Sequence, residues 1–250
     1  MLEETRLAYE PNDQLAILVG VFNGTPAGRC PEDDDPQVCN KHGFDFPINA
    51  PPLLMVEGVF GYNKGEGQLP GTIKLGGYHN FGSFEHVRFS ETGVPIDDNN
   101  PAAVINGDYG LYAIIDQMIY RLPGKDPKGV AVFGRLIGAP SDRNTIDLYA
   151  EAGVTFTGMT RPNDVFGIAY AYSRISDDVA GAAFDGGETI LPTYESLLEV
   201  SYTACIVPGF TIQPDFQYFW NPGGHVPDPN DPTKAAPNAA VLGLRTTLNY

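Results

Sequence analysis

The chain has 250 residues, with 15 Lys and Arg against 31 Asp and Glu, for a formal net charge of −16. That balance excludes a nucleic-acid backbone as partner, which requires clustered basic residues. With aromatics at 11%, the 29 Gly and 22 Pro do not describe a disordered chain either. No apolar run reaches the roughly 18 residues of a membrane-spanning helix, which says nothing of barrels, whose strands are short and only alternately apolar.

The start, MLEET, has neither the basic residues nor the apolar stretch of a secretion signal. Either the chain is cytosolic, or an exported N-terminal part is missing. Beyond it, helical periodicity is scarce and the apolar residues recur every second position. In chain order, strands are expected at 5–10 and 14–22, joined by the turn PND at 11–13. The connection 23–52 contains CPEDDDPQVC, in which Cys30 and Cys39 suit a small disulfide loop of an oxidising compartment, the alternative being two unrelated loop thiols. Its run Glu32, Asp33, Asp34, Asp35, like DPNDPT at 228–233, is either a solvated external loop or a set of oxygen donors for calcium.

Strands at 53–62 and 71–80 flank NKGEGQLP at 63–70, and 81–109 is a second long loop. Strands at 110–120 and 129–138 flank LPGKDPKG, and the link 139–145 leads to 146–157. There, Ile146, Leu148, Ala150, Ala152, Val154 and Phe156 oppose Asp147, Tyr149, Glu151 and Thr155. TGMTRPND at 157–164 leads to the strand 165–175, and the loop 176–193 to the strand 194–206, where Cys205 reads as a small strand residue. After VPG at 207–209, the strand 210–220 sets Phe210, Ile212, Phe216, Tyr218 and Trp220 against Thr211, Gln213, Asp215 and Gln217. The loop 221–238 precedes the last strand, 239–250, with Leu242, Leu244, Leu248 and Tyr250 on one face and Gly243, Arg245, Thr247 and Asn249 on the other.

These eleven expected strands mostly run to about ten residues, longer than the usual soluble strand of about five or six and matched to the roughly 9–11 needed to cross a bilayer at a tilt. Short turns alternate with longer loops, as in an up-and-down barrel with tight turns at one rim. Tyr9, Tyr62, Tyr120, Tyr218, Trp220 and Tyr250 fall near strand ends, where amphipathic rings sit at a membrane interface. The fold class expected is all-β, an antiparallel transmembrane β-barrel of the outer-membrane type.

With the strands placed, GLYAIIDQMIYRLPG, GVAVFGRLIGAPSDRNTIDLYAEAGVTFTG and ETILPTYESLLEVSYTACIVPGFTIQPDFQYFWNPGG, with a terminal aromatic after LGLRTTLN, resemble the carbohydrate-selective porins of Gram-negative outer membranes, the OprB family. The resemblance covers essentially residues 1–250 and is strongest from Gly107 onward. It implies a sugar-permeable barrel of about sixteen strands, passing glucose and related sugars by facilitated diffusion with no cofactor. The implied partners are carbohydrate substrates, outer-membrane lipid, and the insertion machinery that reads the strand ending in Tyr250; a homo-oligomer stays open. Because such barrels have an even strand number and both ends in the periplasm, the eleven strands are expected to be the C-terminal part of one porin domain. The chain alone is then expected to form an open sheet without a 5–10 to 239–250 ladder, and no sugar channel.

On this register the charged strand residues point into the lumen: Glu57, Lys74, Asp116, Arg135, Asp147, Glu151, Glu195, Glu199, Asp215 and Arg245, although the pattern around Asp116 is ambiguous. With Tyr149, Gln213 and Gln217 they are the candidate substrate-binding residues. Carboxylates accept, arginine donates in a fixed fork, and aromatic faces pack on the C–H side of a sugar ring. The alternative is a merely solvated wall, since a charge facing lipid would cost up to about 2–4 kcal/mol. The pairs Glu195/Glu199 and Asp147/Glu151 do not make a glycosidase, because four residues along a strand span about 13 Å, beyond the roughly 5–9.5 Å such enzymes use. The histidines His42, His79, His86 and His225 are scattered, and no metal or catalytic spacing stands out. A rival from another class is a soluble all-β, lectin-like module; the aromatic terminus at Tyr250 favours the porin. For Cys30 and Cys39, peptide mapping without reduction should give one cross-linked peptide, and alkylation of both thiols under oxidising conditions would rule the bridge out.

Overall fold

Alternation of apolar and polar residues makes each strand two-faced, and long runs of such strands pair edge to edge when the backbone has no water to bond. The computed structural model describes residues 4–24, 51–123 and 128–249. Its main sheet is built from β1 (Glu4–Asn12), β2 (Leu15–Asn23), β3 (Pro52–Tyr62), β4 (Gly71–Ser90), β5 (Ala102–Arg121), β6 (Gly129–Gly138), β7 (Ile146–Thr157), β8 (Val165–Ile175), β9 (Tyr194–Val207), β10 (Phe210–Trp220) and a final strand, β13 (Ala239–Leu248). All neighbours are antiparallel and follow chain order, so the topology is a continuous meander of eleven strands. Among the described residues β1 pairs only with β2 and β13 only with β10, and the sheet is not closed. Cys30, Cys39 and Tyr250 lie outside the described residues.

The strand count matches the expectation, but the longer connections do not. The segment 81–109, expected as a loop, is largely an extension of β4 and β5, each 20 residues long, with the turn reduced to 91–101. Its alternation is broken by register shifts at Asn80/Ser83 and Glu85/Ser90. Gly107 marks the bend: its φ of +80° lies where only glycine is unstrained. The loop 176–193 holds a helix, α1 (Asp177–Asp185), and 221–238 holds a small hairpin of β11 (Pro227–Asp228) and β12 (Asp231–Ala235). Helix α1 starts at Ser176, whose Oγ accepts from the backbone N–H of Val179 at 3.3 Å, with Asp177 and Asp178 in the first turn to complement the helix dipole.

There is no apolar core among the described residues; the large hydrophobic side chains are on the outside. Residues opposed in an antiparallel ladder share a face, so the register assigns sides. Leu7, Ile17, Val56, Leu75, Leu111, Leu136, Tyr170, Phe216, Leu242 and Leu244 are all exposed, and all stand on one face. This inverts a soluble protein's arrangement and suits a sheet whose apolar side meets lipid. Leu244, 70% exposed on this face, and Arg245 on the other test the assignment. Urea unfolding in phospholipid vesicles should show Leu244→Arg losing about 2–4 kcal/mol, with Arg245→Leu changing stability by no more than about 0.5 kcal/mol; equal losses would reject the assignment of faces.

Candidate functional site

The polar face can be read row by row from the ladder. In one row Glu57 on β3 opposes Gly76, then come Tyr112, Ile137, Tyr149, Ser173 and Glu195 on successive strands. A second row runs Lys74, Ile114, Arg135, Glu151, Ala171. A third runs Thr72, Asp116, Phe133, Gly153, Ala169, Glu199, Gln217. Asp215 opposes Ser201 and Gly243, and Gln213 opposes Arg245, in further rows of the same face. Twelve of the thirteen candidates therefore share one side of the sheet, including Asp116, which opposes Phe133.

Asp147 is the exception. Ile146 opposes Ile175 and Leu148 opposes Arg174, so Asp147 is the extra residue of a β-bulge and the alternation slips there. Its carboxylate takes Nε and Nη2 of Arg174 at 2.8 and 3.0 Å, and Arg174 belongs to the register of Leu148 and Tyr194 on the apolar face, at the strand ends. The expectation of a lumen-facing Asp147 is thus corrected: it fastens the β7–β8 rim.

Several candidates bond to one another. Arg135 and Glu151, directly opposed, form an ion pair, and the Tyr149 hydroxyl donates to the other oxygen of Glu151. The Arg135 guanidinium also sits 5.5 Å from the Phe133 ring centroid. Gln217 Nε2 donates to Glu199 at 2.7 Å, and Glu195 accepts from the backbone N–H of Gly223 at 2.6 Å, tying the 221–238 connection to the wall. Tyr112, missed as a candidate, donates to Glu57 at 2.9 Å across the intervening strand β4. That reach is possible because Gly76 has no side chain in the path of the ring. The side chains of Lys74, Asp116, Asp215 and Arg245 have no hydrogen-bond partner among the described residues, which leaves both signs of charge available to solute. The wall thus presents both donors and acceptors, with Phe133, Ile137 and two tyrosines between them.

The rim that carries the β4–β5 extension is shaped by residues the sequence did not single out. The β4–β5 extension is fastened to the β6–β7 link: Val87 N donates to Asp142 O at 2.8 Å, and Asn144 Nδ2 to the buried Asp108 at 2.9 Å, while Arg143 reaches Gly107 O. Arg88 Nε bonds Asp185 at the end of α1 at 2.8 Å, and Asp178 takes Ser141 Oγ at 3.2 Å. Strands four apart in the sheet are thereby joined above the rim.

The polar face, the apolar face and the meander together define a barrel wall, and a family model matches it. The carbohydrate-selective porin model, OprB family, matches residues 5–250. The chain belongs to that family. Porin B of Pseudomonas aeruginosa is 26% identical over 210 residues, 77% of this chain and 44% of that protein. The high-pH structure of Pseudomonas putida OprB superposes with a TM-score of 0.81 at 21% identity, over 98% of this chain and 58% of that one. The low-pH structure gives a TM-score of 0.55 at 15% identity, over 98% and 54%. The chain thus spans about half the length of the relatives it matches. The likeness to the solved structures shows the fold: this is part of an outer-membrane porin wall, its apolar face toward lipid and its polar face toward the lumen.

At the opposite rim the turn 158–164 is clamped to β9. The buried Asp164 accepts from the Tyr202 hydroxyl, from Arg161 Nε at 2.6 Å and from Cys205 N at 2.9 Å. The Tyr202 bond above all, with Arg161 and the backbone donor, holds this carboxyl below the usual carboxylate range against the opposing effect of desolvation. A carboxyl with a depressed folded pKa contributes stability that is complete above its unfolded value of about 3.9 and fades as pH falls through the folded value. Unfolding measured against pH should therefore show Asp164→Asn destabilised at neutral pH and the gap to wild type closing below about pH 4; a gap independent of pH would reject the clamp.

Proposed function

We propose that this chain forms part of the wall of an outer-membrane pore through which glucose and related neutral sugars diffuse down their gradients. The observation that carries this is the polar face, where Glu57, Lys74, Asp116, Arg135, Glu151, Glu199, Asp215 and Arg245 lie on one side of a sheet whose other side is apolar. Such a lining exchanges the hydroxyl bonds of a sugar for those of water one at a time, so capture stays weak enough for release. The lumen-facing candidates are proposed to contact the solute in transit, together with Tyr112. The chain supplies eleven strands, and the backbone groups along the outer edges of β1 and β13 call for further strands in a bilayer. Membership of the family outweighs the lectin-like alternative.

In cells, deletion of the coding sequence should slow entry of labelled glucose supplied at low concentration, and leave entry of labelled glycine unchanged. Unchanged glucose entry, or an equal loss for both solutes, would overturn the sugar-porin reading.

A further inference from the structure

Helix α1 has little of its own to hold it. It is nine residues long and buries none of them, with Gly181 at its centre and Asp185 at its C-terminus. A helix this short is marginal in water, glycine lowers its propensity further, and a carboxylate in the last turn opposes the helix dipole. That last turn holds no basic residue to offset Asp185. The first turn is anchored to the β6–β7 link, where Ser176 N donates to Thr145 O at 2.9 Å and Ser141 Oγ to Asp178 at 3.2 Å. The second half is supported from elsewhere: α1 packs against β4 rather than against β8 and β9, the strands that flank it in sequence.

That support centres on Arg88. Its Nε and Nη2 reach the two oxygens of Asp185 at 2.8 and 3.4 Å, which places on the last turn the cation that the helix lacks. Gly181 lies one turn earlier on the same helix face, and the guanidinium fills the space that a β-carbon at 181 would take. On the ribbon, Arg88 is held ready for this contact. Its Cζ sits 4.7 Å from the centroid of the Phe89 ring, and His86 Nδ1 accepts from the backbone N–H groups of Arg88 and Phe89 at 3.1 and 3.3 Å. A two-stranded ribbon is itself marginal in water. Two weak elements thus complete each other through one arginine.

We propose that Arg88, Gly181 and Asp185 form a latch by which the β4–β5 ribbon and α1 order and release together, with ionic strength setting the balance. The ion pair is open to solvent and is therefore screened by salt. The ties at the buried Asp108 and Ser176 are screened much less. Release thus stops at the base of the ribbon and at the first turn of the helix. The device belongs to the rim and does not depend on which solute the pore passes.

Gly181→Ala is the decisive variant, because helix propensity alone gives it the opposite sign. Alanine favours the helix, and its β-carbon displaces only the end of a flexible side chain. Hydrogen exchange read by mass spectrometry follows residues 86–90 and 181–188 in the whole chain in detergent micelles. Folding is checked by the mobility difference between unboiled and boiled samples on SDS gels. Gly181→Ala should speed exchange in both segments about twofold to fivefold, the range a surface ion pair supplies. Asp185→Asn should do the same, although it removes the charge that opposes the dipole. The double variant should go no further than either single one, since both remove the same interaction. Raising salt from about 0.01 to about 1 M shortens the Debye length from about 30 to about 3 Å; it should speed both segments in the wild type and leave Gly181→Ala unmoved. If Gly181→Ala lacks the mobility shift, Arg88→Gln takes its place in the same comparisons. Slower exchange of α1 in Gly181→Ala or Asp185→Asn, a change in the helix without one in the ribbon, or a wild type insensitive to salt overturns the latch.

Discussion

Every backbone N–H and C=O within the hydrocarbon layer must find a partner in the protein, because lipid offers none. Between the outer edges of β1 and β13 that requirement is met by one continuous antiparallel ladder through β1 to β10 and β13, and the other features depend on it. An uninterrupted ladder has a fixed register, and a fixed register sends alternate side chains to opposite sides. The apolar surface that a soluble protein would bury is therefore displayed, and the charges that a soluble protein would display are gathered on one wall.

Gathering charges has its own electrostatic logic. Acids and bases pointing the same way pair where the register sets them opposite, as Arg135 and Glu151 do, and stay open where it does not, as with Lys74, Asp215 and Arg245. Glycine has a special place in this wall. Without a side chain at Gly76, Tyr112 can lie over β4 and reach Glu57 on the strand beyond. Contacts between strands that are not neighbours stiffen the sheet and bring an aromatic ring into a row of otherwise polar groups.

The two rims solve different problems. The turn 158–164 is held by one buried carboxylate with three donors, a compact device for a tight connection. At the other rim, β4 and β5 run on past their outer neighbours as a two-stranded ribbon, which cannot hold itself rigid. It leans instead on the β6–β7 link and on α1 through Asn144, Asp142, Arg88 and Asp185. Those bonds decide what the mouth looks like, while the strands below decide what the wall presents.

The period of two, the strand lengths and the terminal aromatic were enough to place eleven strands, to separate the lipid side from the polar side, and to assign twelve of thirteen polar candidates to the same face. That much follows locally, since alternation along a strand needs no knowledge of its neighbours. Asp147 escaped because a bulge breaks the alternation, and whether an extra residue is accommodated depends on the partner strand, here through Ile175 and Arg174. Tyr112 was hidden in a stretch, LYAIIDQMIY, apolar on both faces, and its role emerged only when the ladder put Gly76 and Glu57 beside it. The long β4–β5 ribbon and helix α1 were equally invisible: Arg88 and Asp185 are 97 residues apart, and no pattern within either segment encodes the other. The sequence determined the strands and their faces by local periodicity; the tertiary structure alone decided which side chains meet across strands and how the rim is closed over, because those contacts depend on register and on distances that the chain order does not contain.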